Sequence, residues 1–309
     1  MLTRSRLRLY LVILFFVILC HEYWRFNSNP NDNSRMKRLI IALLVTFLSA
    51  GASLAETTPW TSGLGYKARL IMGAMMEDGH YQGGFEVELE DGWKTYWRQP
   101  GENGIPPLFD VKNSSNLKDF KVLWPTPQLF KDGTGKGVGY KERVLLPFTV
   151  KPEDVDQTID FNLSIFFGVC AEICVPADVK FSSLLSPSKP QSANLALIQE
   201  AISLVPVTDQ TLGLQAKTAE LSVEDTKEYV ELGLEFGKSV ENLVVLIEGP
   251  KDWYFEPMKI LMSDAGDVEE YKVRVPLYRI VKDTLKGDEA LRLTLIADGE
   301  ALDQTIALN

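Results

Sequence analysis

From Asp160 to Phe167 the chain reads DFNLSIFF, in which Phe161, Leu163, Ile165 and Phe167 alternate with Asp160, Asn162 and Ser164. Alternation with period two is the pattern of a strand with one buried and one open face, and a helix cannot use it. Runs of β-type sequence recur at 66–73, 84–90, 93–98, 119–124, 143–150, 159–167 and 178–185, with Gly, Pro and Asn clusters between them. No convincing helical pattern separates them, so this part of the chain is expected to fold as an antiparallel β-sandwich. The stretch 186–192, SPSKPQS, has the composition of a linker. Beyond it Leu195, Ile198 and Ile202 recur at helical spacing and predict a short helix over 193–204. Strand patterns then resume, with Val230, Leu232, Leu234 and Phe236 alternating, then Tyr271, Val273 and Val275, then Leu291, Leu293 and Leu295. The expected organisation is a first β domain over 56–185, a linker over 186–192, and a second, smaller, sandwich-like β domain over 193–309.

The segment before these domains reads as an address. Met36 to Ala55, MKRLIIALLVTFLSAGASLA, has a basic head, an apolar run and small residues at Ser53 and Ala55. That is the anatomy of a secretory signal peptide cut after Ala55. The earlier apolar run, Leu9 to Cys20, has 12 residues, against the roughly 20 that a membrane span needs. Residues 1–35 are therefore expected to be an N-terminal extension ahead of a true start at Met36. Cys20 follows Val17, Ile18 and Leu19 and lacks the small residues expected before a lipidated cysteine. The expected location is the periplasm of a Gram-negative bacterium.

Without residues 1–55, the 32 basic and 42 acidic side chains fall to 25 and 40, a net charge near −15. Such a charge disfavours nucleic acid and anionic membrane surfaces as partners. One histidine, His80, and two cysteines, Cys170 and Cys174, remain. This inventory argues against a hydrolase triad and a multi-histidine metal site; no cofactor and no small-molecule substrate is expected.

In an oxidising compartment those two cysteines can pair. They stand in the phrase FGVCAEICVP, directly after the clearest strand, and Gly168 and Pro176 are expected to bracket a loop or turn that carries both thiols. A disulfide here would close a ring of five residues, worth roughly 2 kcal/mol in the chain-entropy model, against about 4.7 kcal/mol for a loop of a hundred. That is a weak staple, so a redox couple is the favoured reading, with a structural disulfide or a Cu(I) site using both sulfurs as alternatives. No Lys, Arg or His lies between Gly168 and Val179, while Glu172 and Asp178 do. Thiols with ordinary or raised pKa values are expected, suited to a relay that reacts inside a docked complex.

Ordered motifs surround this pair: DGWKTYWR at 91–98, PGENGIPP at 100–107, Trp124-Pro125, Gly139-Tyr140-Lys141, and the cysteine phrase itself. In these residues, from about Tyr66 to Leu185, the sequence resembles the N-terminal periplasmic domain of the DsbD/ScsB thiol:disulfide interchange proteins, nearer to the ScsB-like branch. The resemblance implies an immunoglobulin-like fold and electron transfer between a thioredoxin-like periplasmic protein and oxidised periplasmic proteins. By position, Cys174 would form the mixed disulfide and Cys170 would resolve it. Full members of the family continue into a membrane domain and a thioredoxin-like domain, so a separate membrane protein is the expected electron donor. The DsbD domain shields its cysteines with an aromatic cap; in the corresponding stretch 130–139, FKDGTGKGVG, Phe130 is the aromatic that could serve.

The other features have plainer readings. Trp93, Tyr96 and Trp97 are expected in core and edge packing, with docking or shielding beside the cysteines as the functional alternative for these three and for Phe130 and Tyr140. Arg98 is expected in a local ion pair. The run GTGKGVG at 133–139 lacks the phosphate-loop spacing and reads as a flexible loop. Met72, Met75, Met76 and His80 read as strand-end packing, with soft-metal binding as the alternative.

Overall fold

The computed structural model describes residues 57–101, 104–132, 135–187, 194–209, 212–237, 239–261, 270–280 and 289–309. The expected signal peptide, the extension before it and residues 188–192 of the expected linker lie outside the described residues. Ala55–Asn309 forms one compact unit, and among the described residues no helix is long and apolar enough to cross a membrane.

Two sheets make the first sandwich. One runs β1 (Thr61–Gly63), β2 (Tyr66–Met75), β3 (Tyr81–Leu89), β9 (Arg143–Pro152) and β6 (Leu117–Val122), in that spatial order. The facing sheet runs β11 (Cys174–Leu185), β10 (Ile159–Cys170), β4 (Lys94–Gly101), β8 (Gly135–Lys141) and β7 (Gln128–Asp132), with β5 (Leu108–Asp110) also paired to β10. The alternation in β10 does what its sequence requires: Phe161, Leu163, Ile165, Phe167 and Val169 are buried inward, while Asp160 and Phe166 face out. Their rings meet the facing sheet, Phe161 at 5.8 Å from Phe148 and Phe167 at 5.5 Å from Phe85 between centroids. Burying aromatic rings of this size supplies most of the apolar driving force for closing the sandwich.

The second half holds two further sheets, β12 (Leu214–Glu224), β13 (Lys227–Phe236), β17 (Glu270–Arg279), β15 (Trp253–Phe255), and β16 (Met258–Leu261), β14 (Asn242–Glu248), β18 (Ala290–Ala297), β19 (Glu300–Ala307). Val230, Leu232, Leu234, Val245, Val275, Leu293 and Leu295 fill a separate core between them. The helix α1 (Leu195–Ser203) forms where the apolar spacing predicts one, but it packs on the first sandwich, setting Ile198 and Ala201 against Ile71 and Leu145. The two halves are also joined through a side chain. The Arg98 guanidinium lies 3.9 Å from the Trp97 ring, donates to Glu248 at 2.8 Å and to Thr294 at 3.1 Å, and reaches Asp303 at 3.3 Å. Arg98 is thus ion-paired as expected, but its partners are long-range rather than local.

Three expectations about chain path need correction. The run read as a flexible loop is, from Gly135 on, the strand β8, paired on both sides. Its glycines mark close approach: a Cβ on Gly137 would stand 2.1 Å from the Phe130 ring, and one on Gly139 would stand 2.0 Å from the Thr95 carbonyl oxygen. Secondly, the strands β1, β5 and β7 are present where the sequence pattern gave no signal. Thirdly, of the loop or turn expected between Gly168 and Pro176 the structure has the turn, and the two residues flank it from inside the β10–β11 ladder, where they oppose each other. Pro176 fits there because β11 is an edge strand, where a missing amide donor can face solvent.

Candidate functional site

The β10–β11 hairpin stays in register from Ile159↔Leu185 to Cys170↔Cys174, leaving Ala171, Glu172 and Ile173 as its turn. Cys170 and Cys174 are therefore direct cross-strand neighbours, with Cα atoms 4.1 Å apart, and they form a disulfide. Parity along β10 fixes their side. Val169 faces the core, so Cys170 shares the outer face with Phe166 and Gly168. Cys170 is nonetheless only 1% exposed, because the rings of Tyr96 and Phe130 cover it, while Cys174 is half-buried and Ile173 beside it is 65% exposed.

The cover is assembled from distant parts of the chain. β4 meets β10 through Val169↔Thr95 and Cys170↔Lys94, and the Thr95 hydroxyl donates to the Gly168 carbonyl at 2.8 Å. Two residues past Lys94 on the same face, the Tyr96 hydroxyl lies 3.3 Å from Sγ of Cys174. A disulfide sulfur has no hydrogen, so the hydroxyl is the donor. Burial raises the pKa of Tyr96 above its ordinary value, which keeps that donor protonated. The Phe130 ring, 8% exposed, sits 5.9 Å from the Tyr96 ring and lies over Gly137. Gly104 admits the other side of Tyr96, since a Cβ there would stand 2.5 Å from that ring.

A lysine also opposes the disulfide in the ladder. Lys94, opposite Cys170, is 6% exposed, and its Nζ lies 5.1 Å from the Phe130 ring centroid. Its pKa is lowered, first by burial and then by the charge of Lys141, its neighbour on β8. The expectation that no cation lies near the pair holds along the sequence and fails in the fold, because strand pairing brings in a lysine from 76 positions away.

The remaining candidates divide cleanly. Tyr96 and Phe130 meet at the sulfurs. Trp97 is fully buried in the first core, and Tyr140 is buried with its hydroxyl donating to the Pro125 carbonyl at 2.8 Å, so neither can dock a partner. Trp93 is part-buried against the same core and packs on Gly65. Met72 belongs to that core, Met75 packs against it, and His80 is paired with Asp78. Among the described residues no three His, Cys, Asp or Glu side chains gather as metal ligands would. Sequence reasoning missed Lys94 and Lys141; their parity with Tyr96 and Gly139 was available, but the pairing of β4 with β10 was not.

Residues 68–186 match the family model of the N-terminal domain of the thiol:disulfide interchange protein DsbD. Among solved structures the chain is similar to the N-terminal periplasmic domain of ScsB from Proteus mirabilis, with a TM-score of 0.64 and 21% identity, covering 82% of this chain and 98% of that one. At that identity the likeness is one of fold. The adhesin CfaE of enterotoxigenic E. coli aligns over 84% of this chain and 80% of its own at 7% identity, but its TM-score of 0.19 carries no argument. No curated protein matches the chain.

Proposed function

Residues 68–186 form a domain of the DsbD N-terminal family, and from that premise we propose that the chain relays electrons in the periplasm between a thioredoxin-like protein and oxidised proteins through Cys170 and Cys174. The observation that carries this is the unequal access to the two sulfurs, one covered by rings and one at the open end of the hairpin. In this reading a partner thiolate attacks Sγ of Cys174. The S–S bond breaks, a mixed disulfide forms, and Cys170 leaves with the electron pair as a thiolate. A second thiol of the partner then attacks the mixed disulfide, releasing Cys174 and leaving the partner oxidised and the pair reduced. The same steps in reverse hand the two electrons to an oxidised protein. A separate membrane protein would renew the thioredoxin-like donor, and cleavage after Ala55 would deliver the chain to the periplasm; both belong to the same proposal.

The five-residue ring supports exchange over stapling, since opening it costs little. The test mixes Cys170→Ala and Cys174→Ala separately with a thioredoxin-like domain whose single remaining cysteine is activated as a thionitrobenzoate disulfide. Non-reducing gels should show on the order of tenfold more mixed disulfide for Cys170→Ala, because exposure limits thiol reactivity. Equal trapping, or trapping through Cys170, would overturn the assignment; trapping through neither would return the pair to a structural role.

A further inference from the structure

Across four adjacent strands, β11, β10, β4 and β8, the register sets Cys174, Cys170, Lys94 and Lys141 in one row. Directly opposed residues of antiparallel strands point to the same face, with Cβ atoms roughly 5 Å apart. The row therefore places two ammonium groups on the Cys170 side of the disulfide. Both lie over the ring that covers Cys170: Lys94 Nζ is 5.1 Å and Lys141 Nζ 5.9 Å from the Phe130 centroid. Lys141 is exposed and Lys94 is buried.

We propose that Lys94 is a positioning residue for disulfide exchange: its ammonium group stabilises the thiolate that Cys170 becomes when a partner attacks Cys174. This rests on the exchange reading above. When a partner attacks Cys174, negative charge appears on Cys170, beneath the Phe130 ring and out of reach of bulk water, where a neighbouring ammonium acts more strongly than it would in water. There the electron pair of the broken S–S bond rests on Sγ of Cys170. Lys94 first holds that charge and can then pass it a proton, becoming a neutral amine that water reprotonates. The leaving sulfur is improved without any cation in its own sequence neighbourhood.

The titratable and charged groups on the face of this sulfur are Lys94 and Tyr96 from β4, Lys141 from β8 and Cys174 from β11, with Glu172 exposed in the adjoining turn; Phe130 and Gln128 of β7 are uncharged. Burial keeps Tyr96 protonated, and it holds the pKa of Lys94 below the ordinary lysine value. The support that Lys94 gives to the leaving thiolate should therefore fade at a lower pH than an exposed lysine would allow.

The test isolates Cys170 as the single reactive thiol in the full chain carrying Cys174→Ser and follows its alkylation by iodoacetamide against pH. Adding Lys94→Met should raise the midpoint by about one unit, leaving about tenfold less thiolate at neutral pH. Lys94→Arg should restore most of that loss, and Lys141→Met should move the midpoint less than Lys94→Met does. In the oxidised chain with both cysteines, Lys94→Gln should slow reduction by dithiothreitol at neutral pH by a similar factor, which provides a second variant should methionine disturb folding. Profiles and rates that superpose on those of the parent would overturn the proposal. Neither readout uses a protein partner, so failure of the unsubstituted chain to exchange with a thioredoxin-like domain would count against the relay alone.

Discussion

The long hairpins of this protein close in two different ways. β12 and β13 run from Leu214↔Phe236 to Glu224↔Lys227 and reverse through Asp225 and Thr226, both with positive φ, 47° and 70°. β18 and β19 reverse likewise through Asp298 and Gly299, at 49° and 93°. Positive φ at both central residues is the two-residue geometry that matches strand twist, so these hairpins are closed by the backbone itself. The β10–β11 hairpin ends on three residues and a covalent bond between the last opposed pair. Its register does not depend on that bond, because alternation from Phe161 to Val169 already commits one face to the core. The lesson is that the disulfide sits where the ladder already sets the register, so opening it is expected to leave the sandwich shut.

Four experiments would break or sharpen this contrast. The largest effect is expected at the cover of the β10–β11 hairpin. Phe130→Ala removes a buried ring and should cost about 3 kcal/mol in urea unfolding while speeding reduction of the disulfide by dithiothreitol; slower or unchanged reduction would show that the ring does not shield the sulfurs. Next, reducing Cys170–Cys174 should lower stability by no more than about 2 kcal/mol, measured by urea unfolding of the oxidised and reduced protein. Global unfolding on reduction would erase the distinction between the two kinds of hairpin. In the second sandwich, Thr226→Gly should stabilise by about 1 kcal/mol, because a β-branched residue is strained at positive φ, with no change in the rate at which the distant disulfide is reduced. The smallest effect is expected from Tyr96→Phe. Losing the hydroxyl that donates to Cys174 should destabilise the oxidised protein by about 0.5 kcal/mol, read as a shift in the thermal midpoint.

Much of the site was legible in the sequence because its chemistry is local. Cys170 and Cys174 sit four positions apart after an unmistakable strand, and Phe130 was the aromatic in its stretch able to cover them. Cys170 directly follows the buried strand, yet its depth has another cause. Parity puts Cys170 on the outer face, and it is deep because Tyr96 and Phe130 lie over it. The glycine-rich run misled because composition speaks to backbone freedom, whereas here the glycines make room for Phe130 and for the Thr95 carbonyl. Trp97 and Tyr140 could not be told from docking residues, since an aromatic ring suits a core and a contact surface equally.

By itself the sequence determined the β-sandwich class, the faces of strands such as β10, the short helix expected over 193–204 and the closeness of its two neighbouring cysteines, because period and spacing act within a few residues. Tertiary structure alone decided which strands lie side by side, and with that the surroundings of the sulfurs. It set Lys94 opposite Cys170 and Lys141 behind it, laid Phe130 over them, packed the helix onto the first sandwich and carried Arg98 across to Glu248 and Asp303. Each of these is a meeting of residues far apart along the chain. Strand order follows from how whole faces bury together, which no local pattern encodes.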